Sequence, residues 1–128
     1  MNERSYSVMV VDDNEMNRDM LSRRLERTGY NVLLASNGKE ALDLLAAESV
    51  DLVLLDIMMP QMNGYEVLEH LKSDNDLKHI PVIMTTALDE SDGIEKCMAL
   101  GAADYLTKPF NPVQLKLRVA ACLEKSVA

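Results

Sequence analysis

Three carboxylates and one ammonium carry the chemical content of this chain. Asp12 and Asp13 close an apolar run ending at Val11, Asp56 closes the run Leu52-Val53-Leu54-Leu55, and Lys108-Pro109 follows a third. An aspartate after a strand ordinarily caps the next helix or opens a turn. Three of them at two strand ends are different, because like charges about 4 Å apart repel by roughly 4 kcal/mol at an effective dielectric near 20. Such a cluster calls for a cation. All-carboxylate ligation suits Mg²⁺, with Mn²⁺ as a substitute, because these hard ions take oxygen ligands and Mg²⁺ retains several waters. Asp56 also has the chemistry of a nucleophile: a carboxylate can attack a phosphoryl group when a metal and a cation neutralise the transferring oxygens. Lys108 supplies that cation, Pro109 restricts the backbone that aims it, and the Thr86 hydroxyl can reach a phosphoryl oxygen.

These residues meet only if their runs are parallel strands of one sheet. The spacing predicts strands over Ser7 to Val11, Val32 to Ala35, Leu52 to Leu55, Pro81 to Thr85 and Asp104 to Thr107. Helices are expected from Asn14 to Thr28, from Asn37-Gly38 through Glu48, from Gly64 to Ser73, from Ser91 to Leu100 and from Pro112 to the end. Met16, Met20, Leu21 and Leu25 recur at helical spacing in the first helix, and Ala41, Leu42, Leu44 and Leu45 form the inner face of the second. Gly29 and Gly101 are helix-end glycines, and Gly64 permits a tight loop after Met62. Five strand-helix units with right-handed crossovers make an α/β, doubly wound (βα)5 three-layer sandwich. Its parallel five-stranded sheet has the flavodoxin-like order 2-1-3-4-5, so Asp12, Asp13 and Asp56 converge at the switch point between the first and third strands.

At 128 residues the chain is one domain, with a core expected over about 5–122. The composition, 48% hydrophobic and 27% charged, is that of a globular protein. A net charge of −8 argues against direct contact with nucleic acid, which needs a basic surface. Met1 to Ser5 carries no signal-peptide core, no uncharged stretch reaches membrane-spanning length, and the expected location is cytoplasmic. Cys97 and Cys122 lack metal-ligand spacing and read as reduced packing residues, while His70 and His79 stand apart from the acids.

Val10-Val11-Asp12-Asp13, the segment Asp56-Ile57-Met58-Met59-Pro60-Gln61-Met62-Asn63-Gly64, Thr86-Ala87, and the segment from Gly101 to Phe110 through Thr107-Lys108-Pro109 together resemble the receiver domain of bacterial two-component response regulators, in that family's order and spacing. The resemblance implies that Asp56 accepts a phosphoryl group from a histidine kinase or histidine phosphotransfer protein. It implies that Asp13, Asp56 and the Met58 backbone carbonyl ligate Mg²⁺, that Asp12 acts through bound water, and that Lys108 and Thr86 hold phosphoryl oxygens. Tyr105 matches the family's aromatic switch, which turns inward as Thr86 moves and alters the face of the fourth helix, fifth strand and fifth helix. Met58 and Leu88 flank the expected path of hydrolytic water and cannot position it by a strong hydrogen bond, so self-dephosphorylation is expected to be slow.

The resemblance describes a phosphoacceptor switch that promotes its own phosphorylation rather than an enzyme. A phosphatase of the haloacid dehalogenase type would carry a second Asp where Met58 stands. A flavin or nucleotide binder would need a glycine-rich loop where Asp12-Asp13 would repel an anion. A phosphorylation-independent interaction module with this fold is the remaining alternative. The expected output is a downstream protein or a fused effector domain, with the last helix continuing into a connector if the chain belongs to a longer one, and phosphorylation-dependent homodimerisation through the switch face.

Overall fold

The computed structural model describes residues 6–86 and 91–127. Met1 to Ser5, Ala87 and Leu88 therefore lie outside the described residues. Strands β1 (Ser7–Val11), β2 (Asn31–Ala35), β3 (Leu52–Asp56), β4 (Val82–Thr86) and β5 (Asp104–Thr107) alternate with helices α1 (Glu15–Thr28), α2 (Gly38–Ala47), α3 (Gly64–Ser73), α4 (Ser91–Ala99) and α5 (Pro112–Val127). All strand pairs are parallel, in the order β2-β1-β3-β4-β5.

The chain steps one way from β1 to β2 and the other way from β2 through β5. Right-handed crossovers therefore put α1 on one face and α2, α3 and α4 on the opposite face. The core follows this division. Val8, Val10, Leu52, Leu54 and Ile83 pack against α1 and α5 through Leu21, Leu25, Leu115 and Val119. Their strand neighbours Met9, Val11, Val53, Leu55, Val82 and Met84 point the other way, onto Ala41, Leu45, Val67, Leu68, Leu71 and Cys97. Every residue of β3 and β4 is buried, as the continuous apolar runs require for strands covered on both faces.

Four of the described helices start on an asparagine, Asn111 capping α5 by accepting from the Gln114 backbone at 3.1 Å. Asn14, Asn37 and Asn63 each accept a hydrogen bond from the backbone N–H three residues on, and Glu66 reaches back to the Asn63 amide to complete a capping box. Asn14 is thus the cap of α1 rather than its first residue. Gly29 and Gly101 end α1 and α4 in the left-handed region, at φ 106° and 108°.

Two expectations are corrected by the packing. Met16 is 81% exposed and Met20 37% exposed, whereas Leu21 and Leu25 are buried. The inward stripe runs through the partly buried Asn17 and Arg18 to Leu21 and Leu25, and the methionine pair lies one residue, about 100°, off it. The fourth strand starts at Val82 rather than Pro81, which has no N–H for the ladder and contributes its carbonyl to Val53 N at 3.1 Å.

Candidate functional site

The carboxyl ends of β1, β3, β4 and β5 converge. Asp12 follows β1 directly, Asp56 is the last residue of β3 and pairs in register with Thr85, and Thr86 ends β4 opposite Thr107. Lys108 is held at this edge by its own backbone N–H, which donates to the Thr86 carbonyl at 2.7 Å, and the Lys108–Pro109 peptide is cis.

The structure brings the expected charges together. Carboxylate oxygens of Asp12, Asp13 and Asp56 lie within 4.8 Å of one another. The Lys108 ammonium donates to Asp56 Oδ1 at 3.1 Å and stands 3.2 Å from Asp12 Oδ2. One ammonium thus faces three acids, two of them buried and the third, Asp13, exposed. Asp12 Oδ1 accepts from the Asn14 backbone at 2.8 Å, and among the described residues its buried Oδ2 makes no hydrogen bond beyond the 3.2 Å ion pair with Lys108.

The hard-oxygen donor set and the negative charge that a single ammonium leaves uncompensated both fit a divalent cation such as Mg²⁺. The electrostatics agree. Burial and the neighbouring Asp12 charge push the Asp56 carboxyl up to about 6, against the hydrogen bond and charge of Lys108, with Asp13 adding to the rise. Burial alone would lower the Lys108 pKa, but the hydrogen bond to Asp56 and the charges of Asp56 and Asp12 outweigh it and hold the ammonium above its ordinary value.

Gly64 explains why the loop after Asp56 can return so closely. A Cβ there would overlap the Asp56 carbonyl oxygen and lie 2.7 Å from Ile57 Cα, while the Gly64 amide donates to Ile57 O at 2.8 Å. Between them the loop carries Met58, whose side chain is 67% exposed, and Gln61 in the left-handed region at φ 69°. Thr86 is buried at the end of β4. Tyr105, on β5, is half-buried, with the Arg118 guanidinium 5.6 Å from its ring centre and in turn ion-paired to Asp104 at 2.6 Å. His70 and His79 are exposed on and after α3, apart from the acids.

One residue of the site escaped the sequence reading. Arg18, closing the first turn of α1, donates from Nη1 to the Asp12 carbonyl at 2.7 Å and so ties the helix to the loop bearing both acids. By sequence alone it is an ordinary helical arginine. The only available signal was its position on the inward stripe with Leu21 and Leu25.

The profile of the response regulator receiver domain matches residues 8–120. The alkaline phosphatase synthesis transcriptional regulatory protein PhoP of Bacillus subtilis is 42% identical over 119 residues, covering 93% of this chain and 49% of its own. The response regulator MprA of Mycolicibacterium vanbaalenii is 41% identical over 119 residues, covering 93% and 51%. The chain spans about half the length of these curated relatives. The solved structure of the chemotaxis response regulator CheY4 of Vibrio cholerae superposes with a TM-score of 0.88 at 32% identity, over 94% of this chain and 100% of that one. With the doubly wound sheet, the acid cluster at its switch point and the profile match over most of its length, the chain belongs to the response regulator receiver domain family of two-component signal transduction.

Proposed function

We propose that this chain is a phosphorylation-activated receiver of a two-component phosphorelay, accepting a phosphoryl group on Asp56 from a histidine kinase or histidine phosphotransfer protein. The observation that carries the reading is the contact of a single ammonium, Lys108, with both Asp56 at 3.1 Å and Asp12 at 3.2 Å inside a cluster of three carboxylates. A structural ion pair needs one acid; a phosphoryl site needs a nucleophile, a cation to neutralise the transferring oxygens and a place for a metal.

Asp13, Asp56 and the Met58 carbonyl would hold Mg²⁺ or Mn²⁺, with Asp12 acting through bound water. The ion supplies charge neutralisation and in-line placement of the phosphoryl group. A carboxylate oxygen of Asp56 attacks phosphorus as the P–N bond of the donor phosphohistidine breaks, and the bonding pair leaves with the imidazole nitrogen. With the other ring nitrogen of the phosphohistidine protonated, the imidazole leaves neutral and the products are an aspartyl phosphate and a neutral imidazole. Lys108, already directed at Asp56 Oδ1, holds the carboxylate for attack and then pairs with a phosphoryl oxygen, and the Thr86 hydroxyl donates to another.

Movement of Thr86 toward the phosphoryl group opens the space into which Tyr105 turns, changing the α4-β5-α5 face. Moving such an equilibrium from 1:99 to 99:1 takes about 5.5 kcal/mol, so several phosphoryl contacts must act together. The receiver core, about residues 5–122, acts in the cytoplasm on a downstream protein or a fused effector domain; no described helix is long and apolar enough to cross a membrane. Phosphorylation-dependent pairing of two copies through the switch face would double the light-scattering mass on activation. The exposed, apolar Met58 cannot orient a hydrolytic water, so the phosphoryl state is long-lived and Met58→Asn shortens it.

Intact-protein mass after incubation with acetyl phosphate tests the reading. One phosphoryl addition is expected with Mg²⁺, and none with chelator or in Asp56→Asn. Absence of the addition with acetyl phosphate and with a phosphohistidine donor, in protein that binds Mg²⁺, would overturn it in favour of a phosphorylation-independent interaction module.

A further inference from the structure

A second surface, sharing no residue with the acid cluster, has the makings of a docking site. Between α1 and α5 runs a groove of about 510 Å³ with Leu25 and Leu115 at its floor. Val113 and Leu117, one turn apart on α5, extend that apolar floor outward while remaining 64% and 59% exposed. They lie on a different stripe of α5 from Gln114 and Arg118, which border Tyr105.

The rim is cationic. Arg24, Arg27 and Lys116 line the groove and no acidic residue does, although acids outnumber bases 21 to 13 in the chain. Among the described residues none of the three forms an ion pair, whereas Arg23, one residue from Arg24 but off the groove, is paired with Asp19 at 3.2 Å. Glu124 is near enough to raise the Tyr30 pKa, after burial and Tyr6, but stands outside the groove lining.

We infer that this groove binds an acidic amphipathic helix of a partner protein. An aliphatic row between two helices accepts the apolar face of a third, and three unpaired cations on the rim select acidic residues flanking that face. The exposed extension along Val113 and Leu117 fits an elongated ligand better than a compact one. The aliphatic floor and the chain's net charge of −8 disfavour a nucleic acid backbone.

The test is a methyl-detected NMR titration of the whole chain with two synthetic helical peptides of equal length. Both carry leucine at i, i+3, i+4 and i+7; one has glutamate and the other lysine at the flanking positions. The glutamate peptide is expected to shift the methyls of Leu25, Val113 and Leu117 saturably. Its affinity should fall about tenfold or more in the Arg24→Glu/Arg27→Glu/Lys116→Glu variant and weaken with added salt. All three positions are exposed, so the fold should survive; Leu117→Ser provides an independent loss of binding if the triple variant does not. Equal binding of the two peptides, shifts confined to another face, no saturable shift, or displacement of the same methyls by a DNA duplex instead of the glutamate peptide would each overturn the inference.

Discussion

Asp56 is costly to keep ionised without a cation, and the direction of that cost is measurable. Its folded pKa, about 6, is above the value near 3.9 of an unfolded aspartate. The folded chain therefore holds this proton more tightly than the unfolded chain, and the stability linked to it is present below about pH 4 and lost as pH rises through about 6. In chelator, Asp56→Asn should be more stable than the wild type near pH 7.5 by on the order of 1–3 kcal/mol, with the gain shrinking toward pH 4.5. Urea unfolding at both pH values checks this, and a gain that grows on acidification would contradict it. Added Mg²⁺ should narrow the difference at the higher pH by stabilising the wild type more. Arg18 acts on the same cluster through the peptide it holds. Arg18→Ala should weaken Mg²⁺ binding about tenfold while leaving the unfolding midpoint in chelator nearly unchanged, as a calorimetric titration would read. An unaltered Mg²⁺ affinity would make the 2.7 Å bond to the Asp12 carbonyl incidental.

Among the elements, the turn from β3 into α3 is the least forgiving. A Cβ at Gly64 meets backbone at Asp56 and Ile57, which cannot move without moving the strand end, whereas one at Gly38 meets the side chains of Val67 at 2.8 Å and Met62 at 2.9 Å, which can turn away. Gly64→Ala should therefore destabilise by about 1–3 kcal/mol and shift the Asp56 amide resonance, with Gly38→Ala the milder change. Unfolding midpoints and amide spectra of the two variants decide it; equal effects would mean that the strand end yields. The same elements show what the sequence could and could not reveal. β3 announced itself because a fully buried parallel strand must be apolar throughout, and its terminal aspartate was conspicuous for the same reason. Asn37-Gly38 marked the start of α2 through chemistry local to the cap. Met16 and Met20 misled because their spacing is helical in either orientation, and only the tertiary position of α1 decides which stripe faces the sheet. Arg18 was invisible as a site residue because its partner is a backbone carbonyl, which leaves no mark in a sequence.

For the molecule as a whole, the sheet order has a consequence for how the chain reaches its folded state. Lys108 and Asp56 are separated by 52 residues, and β1 pairs with β3 across two helices and an intervening strand. No local fragment contains the cluster. As β1 and β3 come together, Asp12 and Asp13 approach Asp56 whether or not β5 has yet delivered the ammonium, so the charge arrangement opposes its own assembly. Contacts between segments so far apart are slow to form because loop closure precedes their reward. If the cluster closes after the rate-limiting step, Mg²⁺ will slow unfolding and leave refolding almost untouched. Stopped-flow chevrons with and without the ion would show this, and acceleration of the refolding limb would place the acids inside the folding nucleus instead. A receiver whose acid cluster closes late would have a long kinetic lifetime once loaded with Mg²⁺, because the ion would stabilise the native state without stabilising the barrier that leads out of it.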